Sequence, residues 1–351
     1  MNRPPQEQPK ISVVILNYNG MQWLERCLDS LERQTIFDQI EVIFTDNKSS
    51  DASAEFAARW LTRCGKGPLV QNGANLYYCE ANNRGAAVAT GRYLLFLNQD
   101  TWLEPDCLAQ LYEKSEAFGA SAASPLVLDY ESETLGECGG PGFDLFGLPM
   151  SQGECEEGDE IFGAPGCSLL IRADMFKKIG GFDARMLMYV DETDLSSRVW
   201  IAGGKIVGIP SARLHHRGAV MINPKGITKI VELRTSETKR YLTNRNGILF
   251  WLKNAEGLLL LILIPHLLLL AVEAAVSLLL VRRWSFVRKG YLNATADAFQ
   301  LLDHVRDWRK RIKTFRQRSD FWMLRFLRIK FARWAEVRML FRFGLPKVET
   351  K

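Results

Sequence analysis

KISVVILNYNG, Lys10 to Gly20, decides the fold. Its first eight residues form a largely β-branched run that breaks at Asn17 and turns at Asn19-Gly20. A run that is apolar on both faces suits a strand covered on both sides, as in a parallel sheet between helices. The next stretch, Met21–Arg33, sets Leu24, Leu28 and Leu31 at helical spacing. Working outward, the pattern recurs. Ile40–Thr45 (IEVIFT) ends in Asp46-Asn47, and Tyr93–Leu97 (YLLFL) ends in Asn98-Gln99-Asp100. Ser49–Leu61 and Ala81–Thr90 read as helices between them. Strand–helix–strand alternation predicts an α/β, Rossmann-like, mostly parallel sheet. Such sheets bind ligands beyond the carboxyl ends of their strands, where Asn17, Asp46 and Asp100 all stand.

Further along, Glu131–Gly166 is rich in Gly and acidic residues and reads as loop with short strands. Cys167–Ile171 is a strand, and Met175–Ile179 begins a helix that stops at Gly180-Gly181. Asp191–Ile201 (DETDLSSRVWI) is a helix with acids in its first turn, where the macrodipole favours them. Lys205–Ile209 is a strand that precedes Leu214-His215-His216.

Composition bounds the rest. The 351 residues suit about two domains. At 47% hydrophobic and 24% charged, the chain is neither disordered nor an integral membrane bundle. Seven Cys without CxxC pairs exclude a disulfide scaffold and a zinc ribbon, and a reducing compartment is expected. Residues 1–10 read as a disordered leader without an apolar signal region.

Charge is unevenly placed. Arg282–Lys351 holds 19 Lys+Arg against 6 Asp+Glu, a net +13, while residues 1–281 carry a net −8. A basic tail on an acidic body points to an anionic partner. Between the two lies Leu258–Val281, 24 residues of which 17 are Leu, Ile or Val. As a helix it would be about 36 Å long, enough for a hydrocarbon core of ~30 Å. A buried core helix or a homodimer interface is the competing reading.

Several polar residues could carry chemistry. Asp100 at a strand end suits a hard cation shared with phosphates. Asp191, Glu192 and Asp194 crowd one helix start, and such repulsion raises carboxyl pKa values towards a general base. His215 and His216 could supply a nitrogen ligand or relay a proton. No nucleophile elbow, Walker A or GxGxxG motif is found, so hydrolase, ATPase and dinucleotide chemistry are not indicated.

Together these pieces resemble the family 2 glycosyltransferases. The matching segments are VVILNYNG (Val13–Gly20), TDNKSSDAS (Thr45–Ser53), ANNRGAAVATGRYLLFLNQDTWLEPD (Ala81–Asp106) and IGGFDARMLMYVDETDLSSRVWIAGG (Ile179–Gly204). They cover about two hundred residues in the family's order. The resemblance implies a GT-A catalytic domain over residues 11–250. A hydrophobic membrane-associated segment at 251–284 and a basic amphipathic helical tail at 285–351 would follow it. It implies nucleotide contacts at Asn17, Tyr18, Asn19, Asp46, Asn82, Arg84, Asn98 and Gln99. Asp100 would close a DxD-like motif and hold Mg²⁺ or Mn²⁺, with His215 as a second metal contact. Glu192 would be the base, with Asp191 as alternate. Asp194, Arg198 and His216 are secondary candidates, Arg198 facing the diphosphate or the acid cluster.

The implied activity is inverting transfer from a UDP- or dTDP-sugar to a lipid-linked or other glycan acceptor. Asn98 in place of the first metal acid favours a deoxysugar such as rhamnose. Donors of this kind put the enzyme on the cytoplasmic face of the inner membrane. One straight crossing would then separate body and tail, so Pro265-His266 is expected to break Leu258–Val281 into a re-entrant or in-plane form. Phe321, Leu324, Leu327, Phe331 and Trp334 follow helical spacing, a pattern suited to anionic lipid rather than nucleic acid. The alternatives are a nucleotidyltransferase, which NYNG serves poorly as a triphosphate loop, and an inactive membrane adaptor.

Overall fold

The computed structural model describes residues 8–131, 136–153, 155–217, 234–344 and 347–349. Most of the expected leader lies outside the described residues. The chain divides into two compact units. One takes residues 1–139, 153–187 and 204–217, and the other takes 140–152, 188–203 and 218–351.

The strands are β1 (Ile11–Asn17), β2 (Ile40–Asp46), β3 (Leu69–Gln71), β4 (Tyr93–Asn98), β5 (Thr101–Leu103), β6 (Ala122–Asp129), β7 (Gly139–Asp144), β8 (Pro149–Gln152), β9 (Ser168–Arg172) and β10 (Ile206–His216). Eight of them form the sheet of the first unit, in the order β3-β2-β1-β4-β9-β6-β10-β5. β1 is parallel to β2 and β4, and the register sets Asn17 opposite Asp46 and Leu16 opposite Asn98. Three polar strand ends therefore come to one edge of the sheet. β9 is inserted antiparallel between β4 and β6, and β5 returns antiparallel along β10. The run that decided the fold is fully buried at Ile11, Val13, Val14 and Ile15, each such side chain contributing roughly 1.5–3 kcal/mol.

The helices that concern the site are α1 (Met21–Glu32), α2 (Ser53–Cys64), α3 (Tyr77–Val88), α4 (Cys107–Ala117), α5 (Ala173–Ile179), α6 (Asp191–Ile201), α7 (Glu237–Asn254) and α8 (Leu263–Val281). α2 starts four residues later than its apolar pattern suggested, because Ser49 to Asp51 are spent on side-chain hydrogen bonds at the strand ends. β10 runs on through His216 past an irregularity between Ile209 and Arg213, where the sequence reading had stopped it. One cysteine pair also departs from expectation. Cys138 and Cys155 form a disulfide, leaving Cys27, Cys64, Cys79, Cys107 and Cys167 as thiols.

In the second unit, α7 buries Ile248, Leu249, Phe250 and Trp251. α8 packs Leu263, His266 and Leu270 inward, and its Glu273 meets Arg333 at 2.9 Å and Arg240 at 3.4 Å. Its opposite face is bare: Ile264, Leu268, Val272, Val276 and Leu279 are all exposed. Leu258–Ile262 forms a 3-10 turn that leads directly into α8. Pro265 falls in the first turn, where a missing N–H costs nothing. The expected break at Pro265-His266 is absent. The continuous amphipathic helix expected across 321–334 is absent too. Leu327–Arg328 instead pairs as a short strand with Phe143–Asp144 of β7.

Candidate active site

At the strand ends of the first unit, Asn17 and Asp46 are neighbours in register and in hydrogen bonding. Asn17 Nδ2 donates to Asp46 Oδ1 at 2.8 Å and to Ser53 Oγ at 2.8 Å. Asp46 also accepts from the Ser49 hydroxyl at 2.6 Å and the Ser49 amide at 3.0 Å. Asn19, at φ 51°, accepts from the Ser50 amide at 2.7 Å. Asp51 receives the Met21 amide at 3.0 Å and the Ser53 amide at 3.1 Å. Partial burial works to raise its pKa, but the Ser53 and Met21 hydrogen bonds outweigh this and hold it below the ordinary value. The loops after β1 and β2 are thus tied into one floor, with Tyr18 standing exposed above it. Ser49, Asp51 and Ser53 were not singled out by sequence reasoning. Their clustering in one short stretch of short polar side chains was the available signal. Asn47 was missed as well. It donates to the Tyr77 carbonyl at 3.0 Å and accepts from Asn72 at 2.9 Å.

α3 closes on this floor because Gly85 permits it. A Cβ there would lie 2.5 Å from Val14 Cγ1 and 2.7 Å from Thr45 Oγ1. Asn82 on the same helix is buried, with no partner for either amide atom. Arg84 pairs with Glu80 along the helix surface at 3.1 Å. Asn83 exchanges two 2.9 Å hydrogen bonds with the Phe182 backbone. It fixes the Gly-Gly-Phe-Asp turn.

Asp100 lies in the turn between β4 and β5, after Asn98 and Gln99. His215 and His216 alternate across β10 opposite Trp102 and Thr101, so they face opposite ways. His216 Nε2 is 3.4 Å from Asp100. Burial opposes its charge, but Cys167 and Asp100 beside it lift the imidazole pKa to about 11. His215 is placed otherwise than a metal contact requires. Its Nδ1 meets the Asp129 carbonyl at 2.9 Å, its Nε2 meets Glu104 at 3.2 Å, and its ring stacks on Trp102 at 3.7 Å. Both nitrogens are spent, and His216 takes the position beside Asp100. Among the described residues no three His, Cys, Asp or Glu gather as a metal site. The Asp100 carboxylate suits Mg²⁺ or Mn²⁺, which complete their shells with phosphate oxygens and water; His216, with its pKa lifted, stands beside it as a cation and not as a ligand.

In the second unit the acid pair opens α6. Asp191 is buried and Glu192 half-buried. Burial, and next the neighbouring Glu192 charge, push the Asp191 carboxyl well above its ordinary pKa. Burial raises Glu192 as well. The preceding backbone is unusual, with Tyr189 at φ 67° and Val190 at φ 64°. A β-branched residue there is strained and needs an external hold. Asn246 of α7 supplies one, donating to the Met188 and Tyr189 carbonyls at 2.9 and 2.8 Å. The Arg245 guanidinium donates in turn to Asn246 Oδ1 at 3.0 Å.

Asp194 and Arg198 do not open towards a substrate. Both are fully buried and paired at 2.8 Å. Lys253 lies 3.1 Å and the Asn254 amide 2.7 Å from the same carboxylate. Breaking such a pair costs about 3–5 kcal/mol, so this cluster is structural. Of the two roles foreseen for Arg198, the acid cluster is the one it fills.

Residues 12–180 match the family model described as glycosyl transferase family 2. That segment is a glycosyltransferase family 2 domain. Among the chain's relatives, the N-acetylglucosaminyl-diphospho-decaprenol L-rhamnosyltransferase of Mycobacterium tuberculosis is 28% identical over an alignment covering 59% of this chain and 76% of that protein. A PGL/p-HBAD biosynthesis glycosyltransferase of Mycobacterium bovis is 29% identical over 52% of this chain and 67% of its own length. The glycosyltransferase EpsH of Bacillus subtilis is 30% identical over 30% of each chain. The chain thus spans under a third of one relative and about two thirds of another.

Two solved structures share the architecture. GalNAc-T7 with UDP, GalNAc and Mn²⁺ superposes with a TM-score of 0.61 at 14% identity, covering 98% of this chain and 59% of that one. S. aureus TarS 1-349 in complex with UDP gives 0.53 at 13% identity, covering 87% and 89%. At such identity the likeness establishes the GT-A fold, as expected from the sequence. Within the glycosyltransferase domain, the strand-end floor falls inside the matched segment, and the acid pair of α6 lies beyond it.

Proposed function

We propose that this protein transfers a sugar from a nucleoside-diphosphate donor to a hydroxyl of a lipid-linked glycan acceptor, with inversion at the anomeric carbon, in the assembly of a cell-surface polysaccharide. One observation carries the reading. The strand ends of β1, β2 and β4 bring Asn17, Asp46 and Asn98 to one edge of the sheet inside a family 2 domain. The decaprenol-linked substrate in the name of the Mycobacterium tuberculosis relative supports a lipid-linked acceptor.

The parts divide as follows. Asp46, braced by Asn17 and Ser49, accepts from the pyrimidine ring, and Tyr18 lies against the base. Asn82 and Arg84, with Asn98 and Gln99, contact the nucleotide further along. Mg²⁺ or Mn²⁺ held at Asp100, with His216 beside it, would supply positive charge against the leaving diphosphate. Two carboxyls side by side divide their roles by environment. The more deeply buried Asp191 keeps its proton, and half-buried Glu192 is the carboxylate that takes the acceptor's proton. The rest of the catalysis is orientation.

The bare face of α8 is read as an in-plane membrane contact on the cytoplasmic leaflet. One apolar stripe faces lipid, while Glu273 stays paired inside the protein. Arg282, Arg283 and Trp284 at its end suit the headgroup level. Thermal shift against a panel of UDP- and dTDP-sugars, with and without Mn²⁺ or Mg²⁺, tests the donor reading. A cation-dependent rise with one nucleotide class is expected. No rise with any donor would refute it.

A further inference from the structure

The second unit holds a cavity of about 670 Å³, within the size range of small-molecule sites. Lys330, Arg333 and Arg338 line it, and no Asp or Glu does. Phe250, Phe331 and Trp334 give it apolar walls. Val190, one residue before the acid pair of α6, also lines it. His266 comes in from the packed face of α8 and is 2% exposed. Its Nδ1 meets the Phe146 carbonyl at 2.8 Å. A carbonyl only accepts, so Nδ1 carries the proton. Nε2 is left as an acceptor with no partner in the protein. Burial lowers the imidazole pKa, which keeps this neutral form near pH 7. Gly247 leaves room beside that nitrogen, since a Cβ there would come within 3.2 Å of it.

We propose that this cavity binds the isoprenoid diphosphate end of the acceptor. Lys330 and Arg338 take the diphosphate, Phe250 and Trp334 take the first isoprene units, and His266 Nε2 accepts from a hydroxyl or amide N–H of the attached sugar. Arg333 is held by Glu273 at 2.9 Å, so Lys330 and Arg338 are the cations that select an anion, and the aromatic walls select one carrying hydrocarbon. Val190 links the cavity to the start of α6, where the acceptor hydroxyl must lose its proton. The bare face of α8 suits a ligand delivered from a bilayer. This inference rests on the transferase reading for its use of the acid pair, but the binding site can be tested separately.

The test is calorimetric titration of the full chain in detergent with farnesyl diphosphate, farnesol, inorganic diphosphate and UDP. Farnesyl diphosphate should bind more tightly than farnesol or inorganic diphosphate, and UDP should not displace it. In a Lys330→Glu/Arg338→Glu variant, both positions being exposed, its affinity should fall at least tenfold while UDP binds as before. Gly247→Ala should weaken it as well, by crowding His266 Nε2. Unchanged affinity in the double variant, displacement by UDP, or equal affinity for farnesol or inorganic diphosphate would overturn the assignment. Failure of UDP to bind the unaltered protein would count against the transferase reading and leave the farnesyl arms to decide the cavity.

Discussion

The floor at the strand ends and the acid pair of α6 are both built from carboxylates, and they are built in opposite ways. Asp46 is surrounded by donors from Asn17 and Ser49. Asp191, buried, and Glu192, half-buried, stand side by side just after a strained turn, with carboxyl pKa values pushed up. A binding carboxylate must be ionised and immobile, and hydrogen-bond donors deliver both. A base must be able to gain a proton, so its surroundings should not favour the charge too strongly. On the proposed reading, the difference gives binding to the first carboxylate and proton transfer to the second.

The sharpest way to break this contrast is Glu192→Gln. It removes the base and should lower turnover by at least about 100-fold. Nucleotide affinity, which belongs to the other region, should stay near normal. Steady-state kinetics paired with nucleotide titration decide it, and unchanged turnover would shift the role to Asp191. With the unaltered enzyme, the same assignment fixes a pH dependence. Burial raises Glu192 above its ordinary 4.5, and the base form is lost as pH falls through the raised value. The acidic limb of kcat should therefore lie above pH 4.5 and vanish in the Gln variant.

Asp100→Ala probes the first region alone. Donor affinity in the presence of Mn²⁺ should fall roughly 10- to 100-fold, and the difference between assays with and without the cation should disappear. Calorimetry showing intact, cation-dependent binding would remove Asp100 from the metal role.

Asn246→Ala sharpens the contrast from the second region. The Met188 and Tyr189 carbonyls lose their shared donor, and the turn before the acids is freed. A misplaced base should cost about tenfold in kcat with the donor KM unchanged. A purely structural role would instead lower melting temperature and leave kcat per folded molecule intact.

Much of this was legible in the chain. Continuous apolar runs ending in Asn17, Asp46 and Asp100 gave the parallel strands and the ligand edge. The acids at 191–194 gave the start of α6. What stayed hidden depends on contacts between distant segments. Asn246 lies 55 residues beyond Asp191, and nothing local marks it as the hold on a strained turn. The split between His215 and His216 needed the true length of β10, which Pro210 and the irregularity after Ile209 disguise. The tail misled because apolar spacing from Phe321 to Trp334 fits a helix, while Leu327–Arg328 is used as a strand by Phe143–Asp144. Periodicity reports which side chains seek burial, and it cannot report a partner strand far away in sequence.

The smallest effect tests the energetic premise itself. If Asp191 is held protonated by burial and by Glu192, the folded state binds a proton that the unfolded chain has released above its ordinary 3.8. Stability should then fall as pH rises from that value through the raised one, because ionising the folded carboxyl becomes the cost. Asp191→Asn cannot ionise. It should melt about 2–4 °C higher than the unaltered protein near pH 7.5, and the gap should close towards pH 3.5–4, where both chains carry a neutral side chain. Melting curves across this range decide the matter. A variant less stable at neutral pH would mean that Asp191 is ionised and satisfied in the fold, and the division of labour between the two regions would be lost.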